Sequence, residues 1–329
     1  MLLHGLSGEW LPASGIGKAR PSHSAERDTG FSRHGLMQFL TKCKLTAYGV
    51  ALTLSVGSTS GTAAELRLDP ANASGTGVVL EGIIETGDFE RFKNIVINSG
   101  HVREIYLASP GGNLAEAVKI GLLVRHLNLS TVVPSKQLTH NDRTVALARH
   151  GLKDNKDYTC ASACFFIFVA GIYRSTDDHG AAILGLHAPT LLASAAAKLA
   201  PEQANLAIDR TRKVIADYFG VMDVPTKYTE EINSVPKTRM RWIRNDEFQS
   251  DFAGFISEVR GLVKTKCGNR PDAVSPSTQR HNDQSSPQAQ CESELRDELA
   301  ARAFKDAVKA QSGDNRQFIF KSGPQSPPN

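Results

Sequence analysis

A chain of 329 residues with 40% apolar and 22% charged residues is long enough for one large domain or two small ones and can bury a core. Most of its formal charge of +4 comes from the N-terminus: residues 1–64 hold six Lys+Arg against three Asp+Glu, which leaves 32 against 31 for the rest. No stripe of Lys and Arg interleaved with aromatics is present, which speaks against nucleic acid as a partner, and no Gly-x-x-x-x-Gly-Lys-Ser/Thr loop supplies an attached ATPase.

Residues 1–36 are rich in Gly, Ser, Arg and His without apolar periodicity and read as a non-translated or disordered extension. Met37 opens a different pattern: Lys42 and Lys44, an apolar run over 45–56, and small residues through Thr62, Ala63 and Ala64. That is the layout of a secretory signal peptide over 37–64, with cleavage after Ala64. The apolar run is shorter than the roughly 20 residues a membrane span needs. Export, to the periplasm, is the expectation. Cysteine usage points the same way: Cys43 leaves with the leader, and Cys160, Cys164, Cys267 and Cys291 remain. An even number in an oxidising compartment suggests disulfides with three possible pairings, of which Cys267 with Cys291 comes first because both flank a flexible segment.

After the leader, residues 75–86 predict a strand, 88–98 a helix and 103–108 a second strand that ends sharply at Ser109-Pro110-Gly111-Gly112. A helix follows from Leu114, apolar or small at Ala117, Val118, Gly121 and Leu122, with Asn113 as its cap and Glu116 completing a capping-box-like pattern. A third strand at 131–133 completes a strand–helix alternation that argues for right-handed crossovers and a largely parallel sheet. Residues 135–157, with His140, Arg143, Arg149 and His150, read as a polar insertion near an active-site mouth, a lid or a long loop.

Strands are expected at 172–174 and at 181–189, the latter ending on His187 and Pro189. Helices are expected at 191–199 and 201–219, a strand at 241–244 and a helix at 246–263. Residues 268–290 read as a Pro/Ser/Gln-rich linker. A helix over 292–310, with Leu295, Leu299, Ala303 and Ala307 on one face, is expected at the surface or on a partner, before a Ser/Pro tail.

The stretch with chemistry is Thr159-Cys160-Ala161-Ser162-Ala163-Cys164, followed by the apolar run 165–170. A hydroxyl among small residues just before such a run is the pattern of a nucleophile on a tight turn opening a buried helix. Serine near neutral pH needs a base and an oxyanion site. Cys164 falls inside the helix, suited to packing or to a disulfide that pins the turn. No His pair has helical ligand spacing and no Cys-x-x-Cys occurs, so no metal or other cofactor is expected.

Ser109-Pro110-Gly111-Gly112, Ser162 before its apolar run, and His187 in Gly-Leu-His-Ala-Pro together resemble the proteolytic subunit of Clp proteases, ClpP, and its exported relatives in the crotonase-like superfamily. The resemblance covers residues 78–255. It implies a ClpP/crotonase-like α/β fold of repeated β-β-α and βαβ units with a largely parallel sheet, a domain over 65–265, and 266–329 as linker, short helix and tail. Ser162 would be the nucleophile and His187 its base; Gly112 and Ala163 would give the oxyanion-hole amides, Gly111 allowing the close approach.

In the family an acid orients the histidine from just before the strand that here covers 241–244. Thr238, Arg239 and Met240 stand there instead. This leaves Thr238 or Asn233 to orient His187, a dyad, or an inactive site. The resemblance thus implies an exported serine peptidase acting on short peptides or unfolded protein, a homo-oligomer without a cofactor. The alternatives are a catalytically inactive ClpP-like binding or assembly module and an acyl-CoA enzyme of the crotonase type. Export disfavours the last, because coenzyme A is cytoplasmic.

Overall fold

The computed structural model describes residues 64–71, 76–136, 139–153, 158–178, 180–189, 200–236, 238–268 and 286–312. The N-terminal extension, the expected leader up to Ala63, the helix expected at 191–199, most of the 268–290 linker and the tail from 313 lie outside these residues.

Strands β2 (Gly77–Glu81), β3 (Glu104–Ala108), β4 (Ser130–Val133) and β6 (Tyr173–Thr176) run parallel in that order. Antiparallel edges complete six strands: β1 (Glu65–Leu68) beside β2 and β9 (Gly254–Phe255) beside β6. Ala64 already belongs to this body, since it is buried and its N–H donates to the Ile83 carbonyl at 2.7 Å. The protein is therefore mixed α/β with a mostly parallel sheet, as strand–helix alternation predicts.

A parallel sheet must be covered on both faces. Val78, Leu80, Ile105, Leu107 and Val133 point to one face, where α1 (Asp88–Ser99) and α2 (Leu114–His126) build the main core with α4 (Ala163–Phe168) and α5 (Pro201–Val221). Val79, Tyr106, Ala108 and Val132 point to the other. Here the expectation for 135–157 needs correcting. The segment contains a helix, α3 (His140–Arg149), opened by a Thr139–Asp142 capping box. The chain leaving it covers the second face: Leu152 packs on the apolar cluster, His150 stacks on Tyr106 at 3.8 Å, and its Nδ1 lies 2.9 Å from Asp69 Oδ2.

Asn113 caps α2 as expected, accepting from Ala115 and Glu116 N–H. Glu116, however, does not close a capping box with it. Its carboxylate accepts the N–H groups of Gly87 (3.2 Å) and Phe89 (3.0 Å), so it caps the neighbouring helix α1, whose N-terminus favours negative charge.

α4 is completely buried, and the Phe165 ring meets those of Phe166, Phe168, Phe219 and Phe252 at 5.6–6.5 Å. Truncating such a side chain costs about 3–5 kcal/mol.

The helix expected at 246–263 is interrupted. α7 (Asn245–Asp251) stops, Gly254 and Phe255 pair with Arg174 and Tyr173 as β9, and α8 (Ser257–Cys267) restarts after them. Ladder bonding at a sheet edge overrides the helical pattern there. A short helix not anticipated, α6 (Lys227–Ser234), buries only Tyr228 and Ile232. The C-terminal helix α9 (Pro287–Ser312) packs one side on the rest of the fold through Leu295, Ala300 and Ala307. Leu295 joins Ile172, Phe255, Ile256, Val259 and Val263 in a second core, and Cys291 is bonded to Cys267.

Candidate active site

A second, three-stranded sheet extends the first beyond the carboxyl ends of β2 and β3, where open α/β sheets place their ligands. Its strands are β5 (Cys160–Ala161), β7 (Leu184–Leu186) and β8 (Arg241–Trp242), ordered β5-β7-β8. Parallel bridges join it to the first sheet, Ser109 to Cys160, with Gly112 bridged in turn to Ile84. The bonds form one row: Asn113 N–H to Ile84 O at 2.8 Å, Ala161 N–H to Ser109 O at 3.0 Å, Ser162 N–H to Gly185 O at 3.0 Å. The Ser-Pro-Gly-Gly turn, the Ser162 turn and the end of β7 therefore lie side by side. Ala161 is level with Gly185, so His187 stands one residue beyond the position level with Ser162.

Ser162 sits at the junction of β5 and α4 with φ 53° and ψ −118°, a half-buried residue in a conformation rarely adopted outside glycine. Such a backbone costs about 1–3 kcal/mol and persists only where the surroundings over-determine it. Two surroundings do so. Gly111 (φ 110°) presses on the turn: a Cβ built there would lie 2.7 Å from Ser162 Cβ, 2.8 Å from Ala161 O and 3.0 Å from Ala163 N. The other is a disulfide between Cys160 and Cys164, one on each side of the serine.

Gly112 (φ 137°) is as constrained, since a Cβ on it would meet Ile84 O at 2.2 Å. The Gly111 N–H is taken by the buried Ser109 hydroxyl at 3.1 Å, so Gly111 shapes the site rather than donating into it. Among the described residues no hydrogen bond uses the N–H of Gly112 or of Ala163. The six residues of α4 are too few for a sizeable dipole, so any anion held here depends on individual amides.

The far end of α4 is clamped by two arginines that the sequence did not single out, Arg125 and Arg174, both fully buried. Val169 O accepts from Arg125 Nη2 (3.2 Å) and Arg174 Nη2 (2.5 Å), and Met222 O accepts from the same two atoms at 3.3 and 2.5 Å. Ala170 O takes Arg125 Nε at 2.8 Å. These are the orphan carbonyls after α4 and α5, where cations are favourable. Burial, and next the charge of Arg125, pull the Arg174 guanidinium down to about 9, which leaves it charged at neutral pH.

Met240, at the chain position before β8 where the resemblance expects an acid, packs its side chain over Gly185. Asp246, Glu247 and Glu231, close to it in the chain, are engaged elsewhere, Asp246 with Arg244. Glu247 makes a two-pronged contact with Arg241 (3.0 and 2.5 Å), and Glu231 lies 3.3 Å from Arg241 Nε. Asn233 donates Nδ2 to Thr229 O at 2.8 Å, and its buried Oδ1 has no partner among the described residues. Asn233 also lines a cavity of about 470 Å³ that begins at Ala188 and Pro189, next to His187, and continues along Ile208, Asp209 and Arg212. Among the described residues the other two cysteines pair as Cys267–Cys291.

No family model matches the sequence, and no curated protein matches it. Among solved structures, a serine-to-alanine mutant of the 1510-N membrane-bound stomatin-specific protease is similar over 55% of this chain and 77% of that one, at 13% identity and a TM-score of 0.33.

Proposed function

We propose that the protein is an exported serine hydrolase, a peptidase of ClpP-like architecture that acts on short peptides or unfolded protein as a homo-oligomer. The observation that carries the reading is Ser162, held at φ 53° on a strand-to-helix turn, with Gly111 against it and His187 at the end of the adjoining strand. In this reading the Ser162 hydroxyl attacks a carbonyl while His187 takes its proton and returns it to the leaving group. The Gly112 and Ala163 amides receive the oxyanion, each such donor contributing about 3 kcal/mol. His187 works in this reading as the base of a Ser–His dyad, and the cavity at Ala188 and Pro189 takes a substrate side chain.

Two disulfides support export, since such bonds persist mainly in oxidising compartments. Among the described residues no helix is long and apolar enough to cross a membrane. A second reading, an inactive binding or assembly module on the same scaffold, is favoured by one observation, the commitment of Glu231 and Glu247 to Arg241. The two are separated by incubating the protein and its Ser162→Ala variant with an unfolded model polypeptide. Cleavage by the first alone supports the peptidase; an intact polypeptide after long incubation with both points to the module.

A further inference from the structure

The Cys160–Cys164 bridge encloses the proposed nucleophile. Cys160 lies in β5, bonded on one side to the Ser109 strand end and on the other to β7; Cys164 lies in the first turn of α4. Between them are only Ala161, Ser162 and Ala163. Two of these, with the Ser162 Cβ, are the atoms that crowd Gly111 at 2.7–3.0 Å. A crosslink over so short a loop constrains the unfolded chain less than the Cys267–Cys291 bridge, which spans 24 residues, so its main consequence is local. Both sulfurs belong to completely buried side chains. Two separate thiols need van der Waals separation that a bond does not, and in a close-packed interior that space comes from moving the turn.

We propose that this bridge is the positioning element that sets the reactive conformation of Ser162, so that the site forms only in the oxidised chain. The inference rests on the reading of Ser162 as nucleophile. Switching off is a two-electron reduction by a dithiol, which reaches the buried sulfurs when the turn opens locally: a thiolate attacks one sulfur, the second thiol resolves the mixed disulfide, and Cys160 and Cys164 leave as thiols while the dithiol becomes a cyclic disulfide. The chain would thus be inactive before export and assembled on oxidation. Cys160 and Cys164 are positioning residues and touch no substrate.

The test uses the full chain in three forms: unaltered, Cys160→Ser with Cys164→Ser, and Cys267→Ser with Cys291→Ser. Labelling by a fluorophosphonate probe and amide exchange of peptides across residues 158–169 are read together. Loss of the 160–164 bridge is expected to slow labelling about 100-fold, as a misplacement near 1 Å does, and to speed exchange in 161–165 while β2, β3 and β4 keep their protection. The 267–291 variant is expected to label at the unaltered rate. Unchanged labelling and exchange in the 160–164 variant overturns the proposal. If the unaltered protein never labels, the hydrolase reading fails separately, and the exchange data alone decide whether the bridge sets the turn. If the 160–164 variant does not fold, stepwise dithiol reduction of the unaltered protein with thiol alkylation replaces it. Labelling must then fall with alkylation of Cys160 and Cys164, and a fall that follows Cys267 and Cys291 instead overturns the proposal.

Discussion

Gly111 and Ser162 share one volume: the place a Cβ on Gly111 would take is 2.7 Å from the Ser162 Cβ. The Ser-Pro-Gly-Gly turn is therefore part of the wall that holds the serine, and its second glycine, Gly112, fits against Ile84 in the same way.

Gly111→Ala adds a methyl group where backbone and Ser162 already stand, at a φ of 110° that alanine adopts only with strain. The variant is expected to lose about 3 kcal/mol of stability and nearly all fluorophosphonate labelling. Urea midpoints beside labelling rates check it; a variant that labels at the unaltered rate removes Gly111 from the site.

The clamp at the other end of α4 predicts that Arg174→Met destabilises the fold. Three charge-assisted bonds to Gly171, Val169 and Met222 carbonyls disappear, partly offset by relief of a buried charge. The expected loss is about 2–3 kcal/mol, read from the urea midpoint, and an unchanged midpoint contradicts the clamp.

Glu247 gives a pH signature. Its hydrogen bonds from Arg241 hold the carboxyl below the ordinary value of 4.5, against an opposing contribution from burial. A depressed folded value means stability that is fully present above about pH 4.5 and lost as pH falls through the lower folded value. Glu247→Gln should therefore be less stable than the unaltered protein at pH 6, with the gap narrowing below pH 4.5. Urea midpoints at pH 6 and pH 3.5 measure this; a gap that widens in acid is the contrary result.

The Cys267–Cys291 bridge closes a loop with a sequence separation of 24 and ties α8 to α9. Chain entropy puts its contribution at about 3 kcal/mol. The double serine variant should unfold at correspondingly lower urea while the Ser162 region stays unchanged by amide exchange. A variant as stable as the unaltered protein would mean that α9 docks without help from the bridge.

Much of this was legible in the sequence because it was written in local pattern. The alternation from β2 to β4, the Asn113 cap and the turn after β3 all follow from spacing and from Gly and Pro, whereas the strand expected over 181–189 is confined to Leu184–Leu186 and stops just before His187. What was not legible depended on partners distant in the chain. Glu116 looked like a capping partner of Asn113, but only the docking of α1 beside α2 brings Gly87 and Phe89 to its carboxylate. The 246–263 stretch has a helical pattern, yet Phe255 is claimed by the free edge of β6. Arg125 and Arg174 carry no local mark of their shared task, because the carbonyls they meet come from α4 and α5.

Whether Ser162 is an activated nucleophile served by His187 is decided by fluorophosphonate labelling of the purified oxidised protein beside folded Ser162→Ala and His187→Ala variants. Stoichiometric labelling of the unaltered protein, lost in both variants, is the predicted result. Absence of labelling in a folded, oxidised protein, or labelling that survives Ser162→Ala, contradicts it.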